Sequence, residues 1–96
     1  MGLAHRKVVV KKEVEILNKL GLHARPCSKF VRTASTFKAD VWVAKDEESV
    51  NGKSIMGLMM LAAGQGSKLF ITCEGADAHE ALAALEKLIL HKFDED

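Results

Sequence analysis

The sequence predicts an α+β domain in which helices cover one face of a mostly antiparallel sheet. Some short segments alternate apolar and polar residues and are rich in β-branched side chains, as half-buried strands are. Other segments repeat apolar residues at helical spacing. Together they give the element order β-α-β-β-α-β-α. Helices in this number cover one face of a four-stranded sheet and leave the other face to solvent.

A glycine turn separates the first strand from the first helix. Residues 7–16, KVVVKKEVEI, are rich in β-branched side chains and predict a strand, after which Gly21 breaks the chain. An apolar stripe at positions i, i+3, i+4 and i+7 then predicts a helix. The stripe consists of Cys27, Phe30, Val31 and Ala34. Pro26 is tolerated only in the first turn of a helix, so we expect the helix to begin just after His23.

The second and third strands follow as a pair. Residues 39–45, ADVWVAK, alternate valines with Trp42, which predicts a strand with the indole on the open face or at a rim. Residues 46–48, DEE, form a polar turn. Residues 49–51, SVN, predict a short third strand that ends at Gly52.

A short helix and the fourth strand come next. Residues 55–63, IMGLMMLAA, predict an apolar helix, with Ser54 as its N-cap. The sequence GQG at 64–66 ends that helix. Residues 68–74, KLFITCE, alternate apolar side chains on two faces and predict the last strand.

The C-terminal segment predicts a long helix. Asp77 and Glu80 resemble a capping box at its start. The expected buried stripe is Ala78, Leu82, Leu85 and Ile89. We expect a single domain over residues 1–96, with residues 1–6 and 93–96 as loose ends.

Composition narrows the function classes. A formal net charge of +1 and an aromatic content of 5% argue against a nucleic-acid-binding protein. No apolar run is long enough for a membrane helix, and the N-terminus lacks a signal-cleavage pattern, so we expect a cytoplasmic protein. Cys27 and Cys73 lack metal-site spacing, and we interpret them as small hydrophobes in a reducing compartment. We expect no metal ion and no cofactor.

His23 differs in its setting from His5, His79 and His91, which lie in a terminus or on polar helix positions. The free N–H groups of a helix start, together with the Arg25 guanidinium, favour an anion at this point. The stretch is therefore consistent with a site in which His23 carries a phosphoryl group. The alternative from the residues alone is a surface or capping histidine, because no carboxylate in the motif orients the ring.

The second helix also allows two interpretations. Ser54 taken alone is a helix cap, and Met56, Met59 and Met60 taken alone are core residues. However, the helix is too short and too apolar on all sides to bury every side chain. A surplus of exposed methionines forms an adaptable contact surface.

Two motifs together closely resemble one family. GLHARP at 21–26, followed by VNGKSIMGLMML at 50–61, is similar to the histidine-containing phosphocarrier (HPr) family of the bacterial phosphoenolpyruvate:sugar phosphotransferase system. The resemblance extends from about residue 8 to about residue 90. It implies an open-faced β-sandwich, with three helices on one face of a four-stranded antiparallel sheet.

The resemblance also implies roles for individual residues. His23 matches the histidine that is phosphorylated on Nδ1, and Arg25 matches the arginine that helps to hold the phosphoryl group. Ser54 matches the serine that an ATP-dependent HPr kinase/phosphorylase modifies in many bacteria. The partner-binding apolar residues match Ile55, Met56 and Met59. Cys27 stands where the family often has alanine, which raises the question of oxidation beside the active centre.

The implied partners are enzyme I, which would donate the phosphoryl group, and enzyme IIA domains, which would accept it. Such a protein is a carrier rather than an enzyme. Two alternatives remain open: a regulatory phosphorelay not coupled to sugar uptake, and an interaction module in which Ser54 phosphorylation controls binding to a transcription regulator. His23 argues against the second as the only role, since relatives of that kind lack the histidine.

Overall fold

A computed structural model describes residues 8–95 and shows the predicted order of elements. The strands and helices are β1 (Val9–Glu15), α1 (Ala24–Ala34), β2 (Asp40–Lys45), β3 (Glu48–Asn51), α2 (Ile55–Met60), β4 (Lys68–Glu74) and α3 (Ala78–Leu90). The strands form one antiparallel sheet in the order β1-β4-β2-β3. The predicted α+β class and βαββαβα order are thus confirmed.

Strand β4 lies between β1 and β2, and its side chains show which residues lie on each face of the sheet. Cys73 is opposite Val10 on one side and Val41 on the other, and all three point toward the helices. Trp42 and Phe70 point the other way and are 44% and 42% exposed. The prediction that Trp42 lies opposite the valines of its strand is confirmed, because side chains alternate along a strand.

The inner face of the sheet packs against α1 and α3. Cys27, Phe30 and Ala34 of the predicted α1 stripe are buried, while Val31 is only partly buried. In α3, the prediction was wrong at one position, since Ala81 is buried where we expected Leu82. The helix is rotated so that Ala78, Ala81, Leu85 and Ile89 form the row that faces the sheet.

The expected capping box at the start of α3 does not form. Asp77 occupies the N-cap position but makes no capping hydrogen bond with its side chain. Its carboxylate accepts instead from the backbone N–H groups of Lys38 and Ala39, at 2.9 and 2.8 Å. These two donors lie just before β2, and the carboxylate satisfies both at once, which explains why it turns away from its own helix.

The C-terminal segment also differs from the expectation of a loose end at residues 93–96. After α3 the chain makes a turn over Lys92–Asp94 and buries Phe93 completely. The Lys29 ammonium group donates to the carbonyl oxygen of Phe93 at 2.7 Å. Residues 93–95 are therefore held against the body of the protein, because an aromatic side chain of this size gains from burial. Residues 1–6, also expected to be loose, lie outside the described part of the chain.

Candidate functional site

His23 lies at the N-cap position of α1, as the sequence predicted. Its backbone is extended, with φ −85° and ψ −172°, and its side chain is 38% exposed. The preceding turn is tight: Gly21 has a φ of +70°, and a Cβ atom there would lie 2.5 Å from the carbonyl oxygen of Ala63. Only glycine fits this close approach without strain. The turn therefore fixes the direction in which His23 leaves the loop.

The first turn of α1 offers free backbone donors beside His23. The N–H of Cys27 is used, since it donates to the His23 carbonyl oxygen at 3.1 Å, and Pro26 has no N–H. The N–H groups of Ala24 and Arg25 make no hydrogen bond within residues 8–95. An anion on the imidazole would meet both donors and the positive end of the helix dipole.

An open cavity of about 470 Å³ surrounds the imidazole. It is lined by Lys19, Leu20, His23, Arg25 and Glu95. Two of these side chains are cationic and flank the histidine. The cavity is roomy enough for a phosphoryl group and shallow enough for a second protein to reach it. Leu20, which sequence reasoning missed, is 72% exposed at this point.

A carboxylate orients the ring after all, but it comes from outside the motif. Oε1 of Glu95 lies 2.9 Å from Nε2 of His23. The Asn18 amide donates to the same oxygen at 2.9 Å. The hydrogen bond from His23, followed by that from Asn18, holds the pKa of the Glu95 carboxyl below its ordinary value. No local pattern in the sequence indicated this contact, because 72 residues separate the two side chains.

The Cys27 thiol lies in the same helical turn but is closed off from solvent. Its side chain is fully buried, and Sγ donates to the carbonyl oxygen of Leu22 at 3.5 Å. Burial raises the pKa of this thiol to about 11. The reactive species in thiol chemistry is the thiolate, and both the burial and the raised pKa of Cys27 disfavour that form.

Ser54 caps α2, as the sequence predicted. Its Oγ accepts a hydrogen bond from the N–H of Gly57 at 3.0 Å, and the residue is half-buried. This bond satisfies one of the free donors at the helix start. The residue is thus partly accessible to solvent and directly precedes the exposed side of α2.

The exposed side of α2 forms an apolar surface, which we name the α2 patch. It consists of Ile55, Met56, Met59 and Met60, which are 40%, 76%, 44% and 65% exposed. Leu58 points inward and is fully buried. A six-residue helix cannot bury all of these side chains against one neighbour, which is why the surplus faces solvent. Methionine side chains suit such a surface because they adapt to different partners.

The structure brings His23 and Arg25 together at one helix start, and it places Ser54 and the α2 patch on the neighbouring helix, which packs against α1. Asn18 and Glu95 complete the surroundings of the histidine. Within residues 8–95, no three His, Cys, Asp or Glu side chains cluster as metal ligands would. None of the helices in the same range is long and apolar enough to cross a membrane.

Comparisons with known proteins show the family and the overall fold to which the chain is similar. A family model described as "PTS HPr component phosphorylation site" matches residues 10–90. The chain is 55% identical over 87 residues to the phosphocarrier protein HPr of Neisseria meningitidis serogroup A, covering 91% of this chain and 98% of that protein. It is 48% identical over 77 residues to the HPr-like protein Crh of Halalkalibacterium halodurans, covering 80% and 92% of the two chains. The crystal structure of HPr-C-His from Thermoanaerobacter tengcongensis matches with a TM-score of 0.88 at 49% identity, covering 91% and 98%.

Proposed function

The chain belongs to the HPr family of phosphotransferase-system phosphocarriers, and on this basis we propose that it relays a phosphoryl group through His23. The donor is phosphorylated enzyme I, which receives its phosphoryl group from phosphoenolpyruvate. The acceptor is an enzyme IIA domain. The observation that supports this role most directly is the position of His23 at a helix start, beside two free N–H groups and Arg25.

The transfer itself is a displacement at phosphorus. The lone pair of Nδ1 on His23 attacks the phosphorus atom that enzyme I presents, a new N–P bond forms, and the bond to the donor breaks. The electron pair of the broken bond stays on the donor atom. In the second transfer His23 becomes the leaving group, and a histidine of the IIA domain attacks. Each step conserves the phosphoryl group, so the protein is a carrier rather than an enzyme.

The negative charge of the phosphoryl group is stabilised during transfer by the Arg25 guanidinium and by the N–H groups of Ala24 and Arg25. A phosphoryl group spreads its negative charge over three oxygens during transfer. The planar guanidinium can donate two parallel hydrogen bonds to such oxygens, and the helix amides add fixed dipoles. Preformed donors cost no rearrangement at the moment of transfer, so they favour the transition state.

The α2 patch docks partners. Covering Met56 and its neighbours with a partner removes exposed apolar area from water, which favours association. Because the cavity around His23 is shallow, a partner has to supply the remaining walls of the reaction site. Docking on α2 holds the donor near the histidine, and holding two reactants together lowers the barrier to transfer. We place the carrier in the cytoplasm, where these partners would meet it.

Ser54 is the regulatory phosphorylation site of an HPr kinase/phosphorylase. The γ-phosphoryl group of ATP moves to Oγ, the hydroxyl proton is released, and ADP leaves. The phosphate then lies at the start of α2, where free N–H groups tolerate negative charge and the helix persists. It also borders the α2 patch, so a partner that covers the patch must desolvate a dianion. Phosphorylation therefore weakens docking of partners that bind the bare patch.

A second candidate function needs only Ser54 and the α2 patch. Both lie on α2 rather than at the His23 cavity, so a phosphoserine-controlled interaction, for example with a transcription regulator, can proceed without the histidine. A His23→Ala variant that is phosphorylated at Ser54 separates the two functions. If it still binds the regulator, the interaction role is independent of the relay.

The relay is tested by labelling. The full chain is incubated with enzyme I, Mg²⁺ and labelled phosphoenolpyruvate, and the bound label is tested for acid lability. An acid-labile label that passes on to a IIA domain supports the relay. Absence of any label overturns it.

A further inference from the structure

We propose that Glu95 is a positioning residue for His23, one that keeps the proton on Nε2 and leaves Nδ1 free as the phosphoryl acceptor. The inference deepens the proposed function and rests on it. It starts from one contact, the 2.9 Å hydrogen bond between Oε1 of Glu95 and Nε2 of His23.

The chemistry of His23 and Glu95 determines which nitrogen of the imidazole carries the proton. An ionised carboxylate only accepts hydrogen bonds, and the lowered pKa of Glu95 keeps this group ionised at neutral pH. The hydrogen in the contact must therefore come from Nε2 of His23. A neutral imidazole has one N–H, so Nδ1 is the nitrogen with a free lone pair. The carboxylate thus selects which nitrogen can attack phosphorus.

Glu95 is itself held in place by a buried amide. Asn18 is fully buried, and its Nδ2 donates to Oε1 of Glu95 at 2.9 Å and to the carbonyl oxygen of Gly21 at 2.7 Å. Both partners are acceptors, so the amide nitrogen has to face them, and Oδ1 of Asn18 is left without a partner within residues 8–95. One side chain thereby joins the carboxylate to the turn that precedes the histidine.

The backbone adopts an unusual conformation to bring Glu95 back to His23. Lys92, Phe93 and Asp94 have φ values of +55°, +55° and +61°. Non-glycine residues rarely adopt this left-handed region, and three in succession are costly. Burial of Phe93 and the bond from Lys29 to its carbonyl oxygen offset the cost. The fold thus maintains a strained turn that ends at the carboxylate touching the histidine.

The same contact helps during transfer. As Nδ1 of His23 attacks phosphorus, the ring gains positive charge, and the N–H on Nε2 becomes a stronger donor. The carboxylate of Glu95 already lies along that bond, so it stabilises the charge without moving. An aspartate orients the catalytic histidine of serine proteases in a comparable way.

The test compares three variants of the full chain. Glu95→Ala removes the acceptor. Glu95→Gln keeps an acceptor oxygen, and the Asn18 amide, which needs an acceptor there, keeps that oxygen pointed inward. Asp94→Asn is the control, because it removes one negative charge from the same turn without touching His23, and asparagine tolerates a left-handed backbone.

The deciding measurement is the long-range ¹H–¹⁵N spectrum of the His23 ring in ¹⁵N-labelled protein, at a pH where the ring is neutral. We expect a protonated Nε2 and an unprotonated Nδ1 in the wild type, in Glu95→Gln and in Asp94→Asn. In Glu95→Ala the two nitrogen shifts should move toward each other as both tautomers become populated. Unchanged shifts in Glu95→Ala would overturn the proposal.

Transfer from enzyme I gives the second readout. Loss of one hydrogen bond predicts an initial rate about two- to tenfold lower for Glu95→Ala, with a smaller loss for Glu95→Gln. If Asp94→Asn lowered the transfer rate as much as Glu95→Ala does, only the negative charge of the C-terminal segment would matter. That result would overturn the proposal that Glu95 positions His23. If the wild type itself takes no label, the relay is wrong, whereas the ring spectrum still decides whether Glu95 sets the tautomer.

Discussion

The backbone N–H of Leu22 donates to the carbonyl oxygen of Ala63 at 2.8 Å, which ties the loop before His23 to the chain that leaves α2. Gly21, one residue earlier, lies against the same carbonyl group. The loop that carries His23 and the segment that follows α2 are therefore in direct contact. A change in this turn should affect phosphotransfer even though it touches neither Nδ1 nor a partner.

Gly21→Ala should destabilise the protein and slow phosphotransfer. The new Cβ would lie 2.5 Å from the Ala63 oxygen, at a φ of +70°. The matched control is Gly66→Ala, which has a φ of +89° but nothing within 4 Å of the added atom. The control should lose about 1–2 kcal/mol from its left-handed backbone, and Gly21→Ala should lose more. Thermal and denaturant unfolding measure both, and equal losses would contradict the close contact.

Met56→Glu should weaken binding to enzyme I with little change in stability. Met56 is 76% exposed, so a charged side chain is tolerated in the free protein but must be desolvated under a partner. If Met56 is a central contact, the loss is about 1 kcal/mol or more, or at least about fivefold in affinity. Calorimetric titration measures the affinity.

The control for Met56→Glu is Leu90→Glu, which places the same charge on a 60% exposed apolar residue of α3. It should leave binding unchanged. An equal loss of affinity in both variants would show that added negative charge, rather than the α2 patch, is responsible.

Ser54→Asp should slow transfer from enzyme I while α2 stays folded. Aspartate accepts the Gly57 N–H as serine does, so the cap is kept, and the added charge borders the α2 patch. Ser54→Ala is the control: it should lose about 1 kcal/mol of stability with the cap and yet transfer at the wild-type rate. Initial labelling rates and unfolding curves separate the two effects. A Ser54→Asp protein that is labelled as fast as the wild type would exclude regulation by charge at this site.

Asp77→Asn should lower thermal stability at neutral pH, and the difference from the wild type should shrink in acid. Hydrogen bonds from the backbone N–H groups of Lys38 and Ala39 hold the pKa of this carboxyl below its ordinary value of 3.8. The unfolded chain binds the proton more readily, so the stabilisation is present above the unfolded pKa and is lost as the pH falls through the folded pKa.

Melting temperatures between neutral pH and about pH 3 measure this difference, the lower limit lying below the unfolded pKa of aspartate. Asp46→Asn, in the turn between β2 and β3, is the control. A gap between Asp77→Asn and the wild type that stays constant over this range would contradict the role of the carboxylate.

The local parts of the fold and the site follow from the sequence, because their causes are local. Alternation around Trp42 gives the two faces of a strand, Pro26 gives the helix start beside His23, and Ser54 caps the helix that follows it. In each case the residues that determine the feature are close together in the sequence, so their spacing is sufficient to predict it.

The parts that sequence reasoning missed depend on contacts between distant residues. Glu95 meets Asn18 and His23 across 77 and 72 residues, and no spacing rule reaches that far. Asp77 has the right neighbours for a capping box, yet two backbone donors just before the neighbouring strand β2, distant in sequence, compete successfully for its carboxylate. Ala81 rather than Leu82 belongs to the buried stripe of α3 because of the rotation of the helix about its axis against the sheet. The periodicity of the helix does not determine this rotation.

The central claim is that His23 accepts the phosphoryl group, and labelling of wild type and His23→Ala by enzyme I and phosphoenolpyruvate tests it most directly. His23→Ala should keep the fold, since the imidazole is partly exposed and makes no capping bond; its unfolding curve is the control. We expect acid-labile label in the wild type, mapped by mass spectrometry to a peptide containing His23, and none in the variant. A folded His23→Ala protein that still takes acid-labile label would contradict the account.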